Sequence, residues 1–549
     1  MLGLVDCFYN NYLLRGSQNY QSIIKTLPGF PGNLPFKLET GYIGVGQLDE
    51  VQLFYYFVES EGNPQEDPLL LWLTGGPGCS GFSALVYEIG PLSFNYAKSR
   101  VKPTLELNPY SWTKVASIIF LDAPVGTGFS YATTSQAYQS SDTNQGAANY
   151  EFLRKWLLDH PEFQSNRLYI AGDSYSGKIV PLVVKETVNG NDAGRNPKMN
   201  LVGYVLGNPV TDEAKDTNSR FKYASFTGLI SEEVYETGKR NCKGNYTYAE
   251  PNNTACAVVL QVYEQCIEKI NLMQILEPFC GYLSPKPSKL ERAESALMED
   301  PIDIHTSRSP WCRTYNYIPS YAWLNDKMVQ KALHIREGTI ENWVRCNTSL
   351  LYTKDLTSSF GLHRNLTEKG LKVLIYSGDQ DISVPFLSTM AWIEALNLTI
   401  EYDWNPWFLD GQVAGYWMEY YRNMYMLTYA TIKGGGHTAP EYKPKECFAM
   451  IDRRSHSKKE EERKKKRERK KERKKEEEEE EEEGGGAAVM VRSREVQRRK
   501  KKRKGNFLDG LGRTGLIRFD STQIFDFRLV FDFFNRFSIR FLTVFALKY

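Results

Sequence analysis

The chain has 549 residues, of which 41% are hydrophobic, and its 34 Tyr, 28 Phe and 10 Trp are enough for a large core. The net charge of +2 gives no general reason to expect a nucleic-acid partner. No continuous apolar stretch reaches the roughly 18 residues of a membrane span, so no span is predicted. No CxxC or HExxH pattern occurs, and we expect neither a metal site nor a cofactor.

The amino terminus and the rest of the chain give conflicting indications of location. Residues 1–20 lack a basic start followed by an apolar run of about 7 to 15 residues, so they form an atypical leader and not a signal peptide. Nine cysteines nevertheless suggest pairing in an oxidising compartment. Sites of the form Asn-x-Ser/Thr, at which we expect N-glycosylation, occur at Asn245, Asn252, Asn347, Asn365 and Asn397. These features favour a secreted or vacuolar protein.

Short apolar runs followed by turns predict buried strands. They are Leu69 to Leu73, Ile118 to Leu121, Leu168 to Ala171, Val202 to Leu206 and Val373 to Tyr376. Between two of them, Ala148, Phe152 and Trp156 repeat at helical spacing. Alternating strands and helices predict an α/β protein with a mostly parallel central sheet, whose functional loops lie at the carboxyl edge.

The pattern changes in residues 211–325, where cysteines and Asn-x-Ser/Thr sites cluster around a Pro-, Ser- and acid-rich stretch at 284–305. We interpret 211–325 as a largely helical cap with an exposed linker, inserted into a catalytic body at 21–452. The linker is either an ordinary surface loop or a processing site.

Residues 453–549 begin with long Lys, Arg and Glu runs and end in an aromatic-rich segment. Such charge density does not support a packed core. Because the basic runs alternate with Glu runs, they do not favour nucleic-acid binding. We hypothesise that this tail is disordered or comes from an erroneous gene model, and sequencing the transcript across Asp452 tests the second idea.

A candidate nucleophile follows the predicted strand LYIAG, in the sequence GDSYSG at 172–177. A sharp turn from strand to helix lets a serine hydroxyl stand above the sheet, provided that its neighbours are small. Gly172, Ser176 and Gly177 meet that requirement around Ser174. An ordinary serine-rich turn is the alternative.

A serine nucleophile needs a histidine base and an orienting acid, in the chain order Ser, acid, His. Of six histidines, only His437 lies after Ser174 in a glycine-rich turn that follows a strand-like segment. The acid belongs at the end of the preceding strand, where KVLIYSGDQDISVP offers Asp379 and Asp381. Spacing alone does not choose between them, and the other aspartate would cap the turn.

Acyl transfer also requires N–H donors for the developing oxyanion. The glycine-rich turn LLLWLTGGPGCSG supplies a candidate, because its backbone can approach a substrate closely. The Gly76 N–H would pair with that of Tyr175, the residue after the nucleophile. On its own, GGPG is more often an ordinary turn.

Five ordered motifs together resemble the plant serine carboxypeptidase-like family. They are WLTGGPGCSG, FLDAPVGTGFSY, GDSYSG, IYSGDQDISVPF and IKGGGHTAPEYKP. The resemblance implies an α/β-hydrolase fold with Ser174 as nucleophile, Asp381 in preference to Asp379 as acid, His437 as base, and oxyanion donors at Gly76 and Tyr175. It also implies disulfides joining Cys79 to Cys346, Cys242 to Cys256 and, with Cys266 as a competitor, Cys280 to Cys312.

The same resemblance bears on the substrate. Family peptidases hold a peptide carboxylate with Asn before the Gly-Gly pair and Glu before the nucleophile, whereas this chain has Thr74 beside Gly75 and has Asp173. Thr lacks an amide and Asp is one methylene shorter than Glu. This form is similar to the acyltransferase branch, which implies transfer from a 1-O-acyl-β-glucose donor to an alcohol acceptor. The alternatives are a carboxypeptidase acting on peptides and an inactive relative.

Overall fold

The computed structural model describes residues 21–96, 102–247, 249–280 and 312–452. The predicted leader at 1–20, the linker stretch at 284–305 and the tail at 453–549 lie outside these residues, as does Cys7. The predictions made for them stay predictions.

Sixteen strands are present in the described residues. In chain order they are β1 (Gln21–Ile24), β2 (Leu38–Val45), β3 (Val51–Val58), β4 (Leu69–Leu73), β5 (Leu92–Phe94), β6 (Leu105–Leu107), β7 (Ser117–Leu121), β8 (Tyr131–Ala132), β9 (Ser140–Ser141), β10 (Leu168–Asp173), β11 (Leu201–Gly207), β12 (Tyr352–Thr353), β13 (Lys372–Gly378), β14 (Thr399–Leu409), β15 (Gln412–Arg422) and β16 (Tyr425–Ile432).

Twelve of these strands form one sheet in the order β1-β2-β3-β7-β4-β10-β11-β13-β16-β15-β14, with β8 paired to β3. The six central strands from β7 to β16 are parallel to one another. Antiparallel strands flank them on both sides. The five strands predicted from apolar runs are β4, β7, β10, β11 and β13, so the prediction of a mostly parallel central sheet is confirmed.

The central strands are apolar along their whole length because they are covered on both faces. In β4, Leu70 and Trp72 pack into the core on one face, whereas Leu71 and Leu73 pack into the core on the other. All five residues of this strand are buried. An alternating polar pattern would place polar groups in one of the two cores.

Ten α-helices lie in the described residues. They are α1 (Asp142–Asp159), α2 (Ser176–Asp192), α3 (Glu213–Phe226), α4 (Glu232–Cys242), α5 (Thr254–Ile267), α6 (Ile318–Asn325), α7 (Lys327–Ala332), α8 (Phe360–Leu366), α9 (Phe386–Glu394) and α10 (Ala439–Tyr442).

Helix α1 is the helix expected from the spacing of Ala148, Phe152 and Trp156. Phe152 and Trp156 are fully buried against the sheet, and Ala148 packs at the edge of the same core. The helix begins at Ser141, whose side chain accepts a hydrogen bond from the Asn144 N–H and so caps its first turn.

Helices α3, α4 and α5 lie in the chain between β11 and β13 and share a small core of their own, which includes Phe221, Ile230 and Val259. The expected helical insertion into an α/β-hydrolase sheet is thus observed. No helix in the described part of the chain is both long enough and apolar enough to cross a membrane.

Candidate active site

Ser174 lies in the tight turn between β10 and α2. Its φ is +54°, in the left-handed region that residues other than glycine rarely adopt. Such a strained backbone conformation persists only where surrounding contacts enforce it. The Ser174 N–H donates to the Gly207 carbonyl at 2.9 Å, and the Ser174 carbonyl accepts from Gly177 at 2.9 Å. A Cβ on Gly172 would lie 2.4 Å from the Leu73 carbonyl oxygen, so the small residues of this turn are sterically required.

The structure brings Ser174, His437 and Asp381 together at the carboxyl edge of the sheet. Nε2 of His437 lies 2.6 Å from Oγ of Ser174, and Nδ1 lies 2.7 Å from Oδ2 of Asp381. Because Nδ1–H donates to the carboxylate, Nε2 is left to accept the serine proton. Burial lowers the pKa of His437, but the charge and hydrogen bond of Asp381 outweigh it and raise this pKa above the usual 6.5.

The two candidate acids have different surroundings. Oδ1 of Asp381 accepts the N–H groups of Ser383 at 2.7 Å and Val384 at 3.2 Å, while Oδ2 faces the imidazole. Oδ1 of Asp379 instead accepts the Gly434 N–H at 2.7 Å, which ties two loops together. Asp381 therefore lies beside His437, whereas Asp379 holds the turn at Gly434.

Asn208, which the sequence reasoning missed, hydrogen-bonds the same Asp381 oxygen that faces His437. Its Nδ2 donates to Oδ2 of Asp381 at 2.9 Å, and its Oδ1 accepts the Gly378 N–H at 2.9 Å. It follows β11 directly with a φ of +40°, a conformation that Asn tolerates better than most residues. An Asn at the carboxyl end of a central parallel strand was the available signal.

The turn at 74–81 lies against Ser174. A Cβ on Gly75 would come within 2.6 Å of the Ser174 Cβ, so only glycine allows this approach. In the described residues, neither the Gly76 N–H nor the Tyr175 N–H has a backbone acceptor. The Tyr175 N–H also lies at the start of α2, where the helix dipole favours negative charge. Both groups are thus available to an oxyanion.

The three residues expected to contact substrate, Thr74, Gly75 and Asp173, are all buried. Oδ1 of Asp173 accepts the Gly75 N–H at 3.2 Å. Burial raises the pKa of Asp173 to about 6, although the positive charge of His437 opposes this shift. The Thr74 hydroxyl oxygen is buried and has no hydrogen-bond partner in the described residues.

Glu88 is a second buried carboxyl group near this position that the sequence reasoning missed. Burial, followed by the negative charges of Asp173 and Glu441, raises the pKa of Glu88 well above its usual range. Its Oε2 has no hydrogen-bond partner among the described residues. A glutamate within the apolar run ALVYEIG was a signal for such a group, since buried carboxyls are rare without a partner.

Three disulfides join the pairs that the family resemblance implies: Cys79–Cys346, Cys242–Cys256 and Cys280–Cys312. Of the other described cysteines, Cys266 is exposed and Cys447 is buried, and both are free thiols. The first bridge fixes the candidate oxyanion turn to a segment 267 residues away in the chain.

The five expected glycosylation sites lie away from the triad residues in the chain and differ in exposure. Four of the acceptor asparagines are exposed: Asn245, Asn252, Asn365 and Asn397. Asn347 is half-buried, and its Nδ2 donates to the Gly126 carbonyl at 2.9 Å. Within the described residues, no group of three His, Cys, Asp or Glu side chains is arranged to hold a metal ion.

Comparisons with known proteins agree with this geometry. Residues 28–456 match the family model for serine carboxypeptidases. Serine carboxypeptidase-like 17 of Arabidopsis thaliana is 46% identical over 457 residues, covering 82% of this chain and 98% of that protein. Serine carboxypeptidase-like 2 of the same plant is 48% identical over 433 residues, covering 79% and 92%.

One solved structure extends the comparison to the fold. The prohormone-processing carboxypeptidase Kex1 of Saccharomyces cerevisiae superposes with a TM-score of 0.61 at 19% identity, covering 79% of this chain and 94% of that one. At this level of identity the likeness establishes the fold alone.

Proposed function

Because this chain belongs to the serine carboxypeptidase family, we propose that it uses Ser174, His437 and Asp381 for acyl transfer, moving an acyl group from a 1-O-acyl-β-glucose to an alcohol acceptor. The observation that carries the choice of substrate is the pair Thr74 and Asp173. A clamp for a peptide carboxylate needs donors. Thr74 offers one hydroxyl donor where an Asn amide offers two, and Asp173 already accepts the Gly75 N–H.

In the proposed first step, Oγ of Ser174 attacks the ester carbonyl while its proton passes to Nε2 of His437. The N–H groups of Gly76 and Tyr175 stabilise the oxyanion. The bond to the anomeric oxygen then breaks, and His437 returns the proton to that oxygen as glucose leaves. An acyl ester on Ser174 remains.

In the second step, His437 takes the proton of the acceptor hydroxyl, whose oxygen attacks the acyl-enzyme. The new ester leaves after the proton passes back to Oγ of Ser174. Water competes at far higher concentration, so the pocket must position the acceptor well. The three disulfides support passage through an oxidising compartment, as a secreted or vacuolar protein requires.

The test is to incubate purified protein with acylglucoses plus candidate alcohols and, separately, with blocked dipeptides. We expect ester transfer that Ser174→Ala abolishes. Dipeptide hydrolysis without any ester transfer would reject the acyltransferase. A rate that survives in Ser174→Ala would reject the nucleophile, and a folded wild-type protein that reacts with no active-serine probe would support the inactive relative.

The second candidate, carboxypeptidase activity, is favoured by the high pKa of about 6 at Asp173. Below that pH the protonated carboxyl donates to a peptide carboxylate, and above it the ionised group repels one. We expect the KM for a peptide to rise as the pH rises through about 6, and the KM for an uncharged acylglucose to stay level. A peptide KM that is flat from pH 5 to pH 7 would contradict this role for Asp173.

A further inference from the structure

A short segment at 271–277, which we call the strap, crosses the two loops that carry Asp381 and His437. It follows α5 and precedes the bridge at Cys280. On the acid loop, the Leu272 carbonyl accepts the N–H groups of Ile382 at 3.2 Å and Ser383 at 2.9 Å. The Ile275 N–H donates to the Gln380 carbonyl at 3.1 Å, so the strap binds this loop on both sides of Asp381.

The strap also binds the histidine loop. The Met273 carbonyl accepts the N–H of His437 itself at 2.8 Å. Nε2 of Gln274, a residue that is only 4% exposed, donates to the Gly434 carbonyl at 3.1 Å. Two consecutive strap residues therefore hold the histidine loop at both ends of its glycine run.

That glycine run explains why an external support matters. Residues 434–436 are all glycine, so the segment before the base has no side chains with which to fix itself and loses much backbone entropy on ordering. A Cβ on Gly436 would lie 2.5 Å from the Met273 carbonyl oxygen. The glycine thus permits the close approach through which the strap restrains the loop.

The far end of the strap is fixed to the chain beyond the histidine. Both oxygens of Glu277 accept from Nε of Arg313, at 3.1 and 2.9 Å, and Nη1 of Arg313 donates to the Glu441 carbonyl at 3.3 Å. Glu441 lies in α10, four residues after His437, and accepts the Thr438 hydroxyl at 2.9 Å. Arg313 therefore links the strap to α10, the helix that follows the histidine loop.

We propose that the strap positions the catalytic base, with Gln274 as its positioning side chain, by holding the His437 and Asp381 loops in one fixed relation. This inference rests on the proposed roles of Ser174, Asp381 and His437. It gives the helical insertion a part in catalysis, because the strap reaches the triad from the segment that follows α5.

The test compares Gln274→Ala with the matched control Gln330→Ala in the full-length protein. Gln330 is also buried, at 8% exposure, and its Nε2 also donates to a backbone carbonyl, that of Leu324 at 3.0 Å, but it lies in α7. The readout is the rate of inactivation by a fluorophosphonate probe, measured against pH and probe concentration. This reaction depends on the activated serine and not on the identity of the acyl donor.

We expect Gln274→Ala to slow inactivation about tenfold at saturating probe, as small misplacements of a base do, with little change in the half-saturating concentration. A base that is less firmly held against Asp381 has a lower pKa, so the acid limb of the rate profile should move to lower pH. Gln330→Ala should stay within about twofold of wild type with an unmoved limb, although each variant loses two side-chain hydrogen bonds.

Equal rates and equal pH profiles for the two variants would overturn the proposal. Gln274→Met provides a second check, since it keeps most of the side-chain volume but loses both hydrogen bonds; a wild-type rate there would also overturn it. Labelling of Ser174→Ala by the probe would instead overturn the proposed nucleophile, so the two failures are distinguishable.

Discussion

Asp379 and Asp381 are separated by one residue, yet their partners give them different expected effects when they are replaced. Asp381→Asn would leave His437 without its anion and favour the wrong tautomer, so we expect kcat to fall about 10⁴-fold. Asp379→Asn keeps an oxygen that accepts the Gly434 N–H, so we expect a loss of less than about tenfold. Single-turnover rates with the best acyl donor measure both changes, and similar losses for the two variants would contradict the assignment.

Asn347 is the acceptor residue of a glycosylation motif, and its side-chain amide already has hydrogen-bond partners in the folded protein. Nδ2 donates to the Gly126 carbonyl, and Oδ1 accepts from both the N–H at 3.0 Å and the hydroxyl at 2.8 Å of Ser349, the third residue of the motif. We expect Asn347 to be the least occupied of the five sites in glycopeptide mass spectra.

The variant Ser349→Ala removes this motif but leaves the Asn347 amide in place, so it should change neither glycan mass nor activity. Asn347→Gln should cost about 1 kcal/mol of unfolding free energy through the lost hydrogen bond to Gly126. A glycan mass that disappears in Ser349→Ala would show that Asn347 is occupied.

At the scale of elements, β2 and the end of α1 are joined by a buried charged pair. Nε2 of His160 lies 2.9 Å from Oε1 of Glu39, and Nδ1 lies 2.8 Å from the Trp156 carbonyl, so both ring nitrogens face acceptors. Burial lowers the pKa of His160, but Glu39 outweighs burial and raises this pKa above 6.5. The pair is therefore strongest with the imidazole protonated.

Because folding raises the pKa of His160, the contribution of this residue to stability depends on pH. A group whose pKa is raised by folding contributes stability that is fully present below pH 6.5 and is lost as the pH rises through its folded pKa. We expect the difference in Tm between wild type and His160→Gln to shrink on the order of 2 °C between pH 5.5 and pH 8. The exposed His334, replaced by Asn, is the control, and a difference that grows with pH would contradict the pairing.

The strands that sequence reasoning found and those it missed differ in burial. β4 and β10 are covered on both faces and therefore appear as continuous apolar runs. β14 has eight exposed residues in succession at the edge of the sheet, so no apolar pattern marks it. The extended conformation of β14 is held by antiparallel pairing with β15, and a local sequence pattern does not encode that pairing.

The candidate site, like the sheet, was predictable where a local sequence pattern marks its residues. Ser174 and His437 stand in distinctive glycine-rich turns, and chain order restricts their partners. Local sequence does not separate Asp381 from Asp379, because the contacts of Asp381 and its loop with His437, Asn208 and the strap join segments that are distant in the chain. Gln274 was missed because its partner Gly434 is distant in the chain, and such a contact leaves no local spacing to recognise. Glu88 was missed although its place in an apolar run marked it as a buried carboxyl group.

At the scale of the whole molecule, the Cys79–Cys346 bridge closes a loop of 267 residues, whereas Cys242–Cys256 closes one of 14. Loop-closure entropy then predicts losses of unfolding free energy of about 5.6 and about 3 kcal/mol when the pairs are replaced by serine. Urea unfolding measures both losses. Only replacement of Cys79 and Cys346 should also lower kcat, because Cys79 belongs to the candidate oxyanion turn. An unchanged kcat in that variant would contradict a role for this turn in catalysis.

The wide chain separation of the triad has a consequence during synthesis of the protein. Ser174 leaves the ribosome 263 residues before His437, an interval on the order of 10 to 50 s at ordinary translation rates. The base follows β16, which takes its place in the sheet by pairing with β13 and β15. A nascent or truncated chain that ends before residue 437 therefore carries the serine without its activating base. With Ser174 and His437 in their proposed roles, the serine hydroxyl stays unactivated until the catalytic body is nearly complete.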